Sequence, residues 1–438
     1  MRSLSARFCV PRLSAILTLA GCGGSSNNNS SGGNGGGGGG GGQSSSTVTY
    51  NFIIATPTAV ATQMGTSAYQ AATLQSNKLT LTIPSGTTNY SIAYACPSVV
   101  IEGFTSNEEF IVQRSTLDGT AFTEGCFSPT PSQVGLATVQ VDPSAIPGAA
   151  FVGITQDGST SPLLWSGGAL SLSAPMATGT TDMFVVAYDS TGQYPLAVRI
   201  LRSQTVPGPL NGGNTVVFTT ADETTKQPIT YNNLPAGSPG AIPQVTYYTS
   251  SGDYLQLLTD LSAVPATQYP ALPAAALQNG DYYTFLFTAL SGPVGGAVGV
   301  ESAASSGSPQ ALTFPSTWTY AGPAAAVLPT FNFNYTGFSA SQPLVQTASI
   351  DGTLGVSQVN PFGTSYDFIQ VSATANYQNG ATTLAIPDLT ALAGFVPSPA
   401  AGASVDWSAG ITQGSGFEST PPTGTVQTVE NSGTYTAP

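Results

Sequence analysis

Two adjacent acid pairs, Glu108-Glu109 and Asp222-Glu223, are the residues of this chain best suited to acid–base chemistry. A glycosidase needs two carboxylates about 5 to 9.5 Å apart and no imidazole. On a strand, neighbours point to opposite faces, so neither pair shares a site by itself, and facing acids would have to come from different strands. Asp118-Gly, Asp157-Gly and Asp351-Gly lack an Asp-x-Asp-x-Asp loop and read as tight turns rather than calcium loops. Trp165, Trp318 and Trp407 each sit among small polar residues. Trp318 and Tyr320 alternate onto one face and are the candidate ligand contacts, able to stack on a sugar ring if exposed and to fill a sandwich core if not.

Histidine is absent from all 438 residues, which removes Ser-His-Asp and Cys-His catalysis and His-ligated zinc or haem. No Gly-x-Ser-x-Gly elbow and no Walker-type loop is present. The sequence therefore names no catalytic residue, no metal site and no cofactor.

The amino terminus reads as an address. Arg2, Arg7 and Arg12 form a positive region, Leu13 to Leu19 a short apolar one, and small residues lead to Leu19-Ala20-Gly21-Cys22. This run resembles the lipobox of bacterial lipoproteins, over residues 1 to 22 only. The resemblance implies cleavage before Cys22, a diacylglyceryl group on its thiol and acylation, as by palmitate, of its new amino terminus. Gly23 stands where Asp commonly retains family members at the inner membrane, so the outer membrane or cell surface is expected. Residues 23 to 47 contain only Gly, Ser, Asn, Gln and Thr, the composition of a disordered tether. With Cys9 in the signal and Cys22 lipidated, Cys96 and Cys126 remain. In an exported protein such a pair reads as a disulfide, with two reduced, buried thiols as the alternative.

Beyond residue 21 the basic side chains are Lys78, Arg114, Arg199, Arg202 and Lys226, and none follows Lys226. Acids continue from Asp253 to Glu430. Nucleic acid and anionic lipid faces are excluded as partners, since both bind through Lys and Arg. The membrane enters only through the lipid anchor. A glycan or a protein is left as ligand.

The elements that must position these residues are strands. Runs rich in Val, Ile, Tyr, Phe and Thr alternate with Gly, Pro, Ser and Asp clusters throughout residues 48 to 438. Residues 331–335 put Phe331, Phe333 and Tyr335 on one face, and 282–287 put Tyr283, Phe285 and Phe287 on one face. Short helical turns are expected at Tyr254 to Leu261 and Asp388 to Ala393. A weak repeat aligns strands opened by Gly86, Gly179 and Gly280, each followed by a second strand at 110–115, 196–202 and 297–301. The period resembles immunoglobulin-like or fibronectin-like sandwiches in architecture alone. The expected fold is all-β: tandem antiparallel sandwich modules at 48–135, 136–208 and 209–325, then an all-β module at 326–438 with a loose C-terminal tail. Val206 to Gly213 and Ala321 to Ala326 read as linkers. The function expected is a lipid-anchored, exported, non-catalytic binding or structural protein. A carbohydrate-binding surface module and a His-free glycosidase are the alternatives.

Overall fold

The structure, a computed structural model, describes residues 45–438 except 54, 102–103, 127–133, 159–161, 237, 239–240, 260–265, 292–295, 339–343, 354–364 and 415–423. The expected signal, Cys22 and residues 23 to 44 lie outside the described residues.

The chain is all-β. Its first segment holds β1 (Ser46–Ile53), β2 (Ala59–Met64), β3 (Gln70–Ala71), β4 (Lys78–Ile83), β5 (Asn89–Ala95), β6 (Val99–Ile101), β7 (Phe104–Ser115) and β8 (Ala121–Gly125). Strict alternation in β4 buries Leu79, Leu81 and Ile83 while Lys78, Thr80 and Thr82 face solvent. β1 lies between antiparallel β4 and parallel β8, and β5 between β2 and β7. These two sheets close on one core that includes Val48, Tyr50, Leu81, Ile92 and Tyr94.

The second segment holds β9 (Val134–Asp142), β10 (Phe151–Thr155), β11 (Asp157–Gly158), β12 (Leu163–Leu164), β13 (Leu170–Ala177), β14 (Gly179–Tyr188), β15 (Pro195–Val206), β16 (Gly208–Pro209) and β17 (Val216–Val217). The third holds β18 (Thr225–Asn232), β19 (Ala241–Tyr248), β20 (Tyr254–Thr259), β21 (Gln268–Ala271), β22 (Tyr282–Ser291), β23 (Gly296–Ala304) and β24 (Gln310–Thr313). The fourth holds β25 (Thr330–Asn332), β26 (Leu344–Thr353), β27 (Ser365–Thr374), helix α1 (Ala375–Gln378), β28 (Thr383–Ala385), β29 (Ser404–Gln413) and β30 (Val426–Thr436).

One strand order recurs. In each of the first three segments the opening strand is antiparallel to one neighbour and parallel to the closing strand, as β1 is to β4 and β8, β9 to β13 and β16, and β18 to β21 and β24. Apart from β6, β11 and β17, the remaining strands follow one four-strand order: β3-β2-β5-β7, β12-β10-β14-β15, β20-β19-β22-β23. The fourth segment repeats this as β25-β28 and β27-β26-β29-β30, with no closing strand among the described residues. The glycine-led repeat in the sequence falls on β5, β14 and β22, the same position in each segment.

The segments are not strung out singly. β23 pairs antiparallel with β30, β27 pairs parallel with β7, and β11 adds to the edge of β20, so strands from all four segments share one fourteen-stranded sheet. Over segments three and four, alternate residues such as Phe285, Phe287, Val298, Ala409 and Val429 enter the largest core. In segment one it is the opposite face of this sheet, with Tyr94 and Val112, that packs under β1, β4 and β8.

Local expectations fared unevenly. Tyr283, Phe285 and Phe287 are fully buried on β22. Phe331 and Phe333 are buried, although the ladder of β25 ends at Asn332. Tyr254 to Thr259 is strand β20, and 388–393 forms turns, not helix, because neighbouring β19 and the surrounding core decide these short apolar runs. The C-terminal stretch, expected to be loose, supplies β30, held between β23 and β29. Asp118-Gly119 forms the expected turn between β7 and β8. Asp157-Gly158 and Asp351-Gly352 instead lie in β11 and β26, where ladder pairing overrides turn preference.

Candidate functional site

Cys96 and Cys126 form a disulfide, with Cα atoms 5.3 Å apart, and tie the end of β5 to the end of β8. Trp165 packs beside the second segment's core and donates its indole N–H to the Gly168 carbonyl at 2.7 Å. The other aromatic candidates are brought together. Trp318 stacks on Tyr320 at 4.8 Å and on Phe333 at 5.7 Å, and Tyr320 meets Trp407 edge-on at 5.4 Å. Trp318 is only 5% exposed, so of the two readings of this residue it takes the one in which the ring fills the core. Its indole N–H donates to Asn334 Oδ1, and its carbonyl accepts from Asn431 Nδ2. The Tyr320 hydroxyl accepts the Asn332 N–H at 3.2 Å, on the edge of β25 that has no strand beside it among the described residues. This hydroxyl therefore satisfies one backbone donor on the edge that a closing strand covers in the other segments.

The acid pairs separate as strand geometry requires. Glu108 points to one face of β7 and Glu109, 1% exposed, to the other. Glu109 Oε2 accepts the Val396 N–H at 3.0 Å, and burial, with Asp388 contributing, pushes its pKa up to about 7. Asp222 pairs with Arg199 at 3.0 Å and accepts the Thr219 N–H, while Glu223 bridges to β15 at Ala197. Both pin the connector that leads into segment three onto β15 of segment two.

A knot that sequence reading did not find fixes the same junction. Arg202 on β15 donates to Asp182 at 2.9 Å and to Asp281 at 2.6 Å, and Asp281 also accepts from the Tyr247 hydroxyl. Burial works against both carboxylates. The Ser203 N–H, Arg202 and Ser251 nonetheless hold Asp182 below the usual carboxylate range, and Arg202, Tyr247 and the Gln278 and Ser250 N–H groups do the same for Asp281. Asp253 accepts from Thr181 and from the Asp182 N–H. The one available signal was that two of the few arginines sit three residues apart on a strand. No cluster of three metal-ligating side chains occurs among the described residues.

A different arrangement occupies the face of the long sheet turned away from the large core. Here Thr347 pairs across to Gly410 and Gly410 to Glu430, while Gln370 pairs to Ser349 and Ser349 to Ser408. With Phe368 they line a hollow. It exists because Gly410 has no side chain, and Glu430 lies alongside the gap, within 4.0 Å of where a Cβ would stand. Ser349 and Ser408 are hydrogen-bonded at 2.7 Å. Glu430 has no hydrogen-bond or ion-pair partner among the described residues, and burial alone raises its pKa to about 7. Asp406 lies four residues along β29 from Gly410, about 13 Å at strand rise. The chemistry on hand is polar binding around one aromatic ring. No family model matches the chain, and neither a curated protein nor a solved structure resembles it significantly.

Proposed function

We propose that this chain is an exported bacterial lipoprotein, acylated at Cys22 and carried at the outer membrane or cell surface, with a non-catalytic binding or structural role. Its four segments resemble immunoglobulin-like sandwiches in architecture. The observation that carries the reading is the recurrence of one strand order in four segments joined by shared ladders, in which the candidate aromatic and acidic residues serve mainly to join elements. The Leu-Ala-Gly-Cys run behind an arginine-flanked apolar stretch supports the anchor. Acyl chains contribute about 0.8 kcal/mol per buried CH₂, enough for lasting attachment when several are present.

In cells fed an alkynyl palmitate analogue, the wild-type protein is expected to take up label and sediment with membranes, and Cys22→Ala to do neither. Equal labelling and sedimentation of the two forms would overturn the anchor.

A further inference from the structure

We propose that the cleft between the β9–β10 loop, the start of β15 and the connector into β18 binds a small free α-amino acid as its zwitterion. This deepens the binding role proposed above and rests on it. The cleft, of about 140 Å³, is walled by Ile146, Pro147, Leu196 and Tyr194 and bordered by Glu223 and Lys226. A cavity of about 150 Å³ holds benzene, so this one takes about six heavy atoms, the size of alanine. Polar groups of three kinds meet there uncommitted. Lys226 holds its ammonium 5.2 Å from the centre of the Tyr194 ring and has no ion-pair partner among the described residues. Glu223 ties its backbone to Ala197, while its carboxylate has no partner among the described residues. The Tyr194 hydroxyl is buried with no hydrogen-bond partner among them.

The placement of charge selects the ligand. The other bases of segments two and three, Arg199 and Arg202, are bonded to Asp222, Asp182 and Asp281. Glu223 and Lys226 do not neutralise each other, being three residues apart on extended backbone, about 10 Å at strand rise. The ladder breaks at Thr224, so both border the cleft instead of turning to opposite faces. A simple carboxylate would meet like charge at Glu223, and a simple amine would meet it at Lys226. An α-amino acid carries both charges on one carbon. Its carboxylate accepts from Lys226 and its ammonium donates to Glu223, each a charge-assisted bond. Its side chain then lies against Ile146 and Leu196, which continue the core of segment two.

The test is equilibrium dialysis of the full acylated chain in detergent against radiolabelled L-alanine, with unlabelled L-alanine, propionate and ethylamine as competitors. Saturable binding at about millimolar affinity or tighter is expected. Propionate and ethylamine each lack one of the two charges and should compete at least about tenfold less well than alanine, the loss of one charge-assisted hydrogen bond. Glu223→Gln and Lys226→Met should each weaken alanine binding by a similar factor. Lys226 is exposed, Glu223 is half-buried and its backbone bridge is untouched, so the unfolding midpoint should hold in both. No saturable alanine binding, propionate or ethylamine competing as well as alanine, or wild-type affinity in both variants would overturn the site. Absent alanine binding with palmitate labelling intact would remove this inference alone. Lost labelling with alanine binding intact would remove the surface assignment alone.

Discussion

Glu109 is, with Glu430, one of two carboxyls whose pKa burial raises to about 7. Its carboxyl, 1% exposed, has its pKa raised to about 7 from an ordinary 4.5, with the Val396 N–H as hydrogen-bond donor. A pKa raised on folding stabilises fully below the unfolded value, and that contribution is lost as pH rises through the folded one. The protein is therefore expected to lose stability between about pH 4.5 and pH 7. Glu109→Gln should reduce that slope, to which Glu430 also contributes, and add on the order of 1 to 3 kcal/mol at pH 8, as read by urea denaturation at several pH values. Arg202 is the opposite case, a cation between two buried acids. Arg202→Met should cost about 3 to 5 kcal/mol by leaving Asp182 and Asp281 unpaired. Adding Asp182→Asn and Asp281→Asn should restore part of it, and limited proteolysis should show whether segment two has loosened. The role of neither residue was legible. Glu109 stood out in sequence as half of an acid pair, and its burial depends on residue 396, far along the chain. Glu430 was invisible for the same reason, since its hollow is assembled from strands between residues 344 and 436.

Strands were the most legible level. Period-two patterns marked β22 and the start of β25, and the glycine-led repeat marked the same strand in three segments. What failed was anything decided by neighbours: β20 was read as a helical turn and β30 as a tail, because β-structure is set by pairing and burial more than by local preference. Trp318 and Tyr320 illustrate the same limit. Their shared face was readable, but not that the face turns inward against β25 and β29. Tyr320→Phe removes the acceptor for the Asn332 N–H while leaving the ring contacts with Trp318 and Trp407. A loss of about 1 kcal/mol is expected from calorimetric or chemical unfolding. An unchanged midpoint would mean that the edge of β25 is satisfied without the hydroxyl.

The all-β class followed directly from composition and turn spacing, but the joining of segments did not. A ladder between β7 and β27 links residues about 260 positions apart in sequence, and no local pattern encodes such a partner. Registry within the first segment also sets how a pull on it is carried. A tug at Ser46, the end nearest Cys22, acts along the axis of β1, whose residues pair in register with β4 on one side and β8 on the other. Both ladders are then sheared as a unit rather than opened rung by rung, and Cys96–Cys126 fastens β8 to the strand layer behind it. The arrangement makes the first segment a mechanical fastener, in which a pull at its first strand is shared by two ladders and passed through the disulfide to the long sheet.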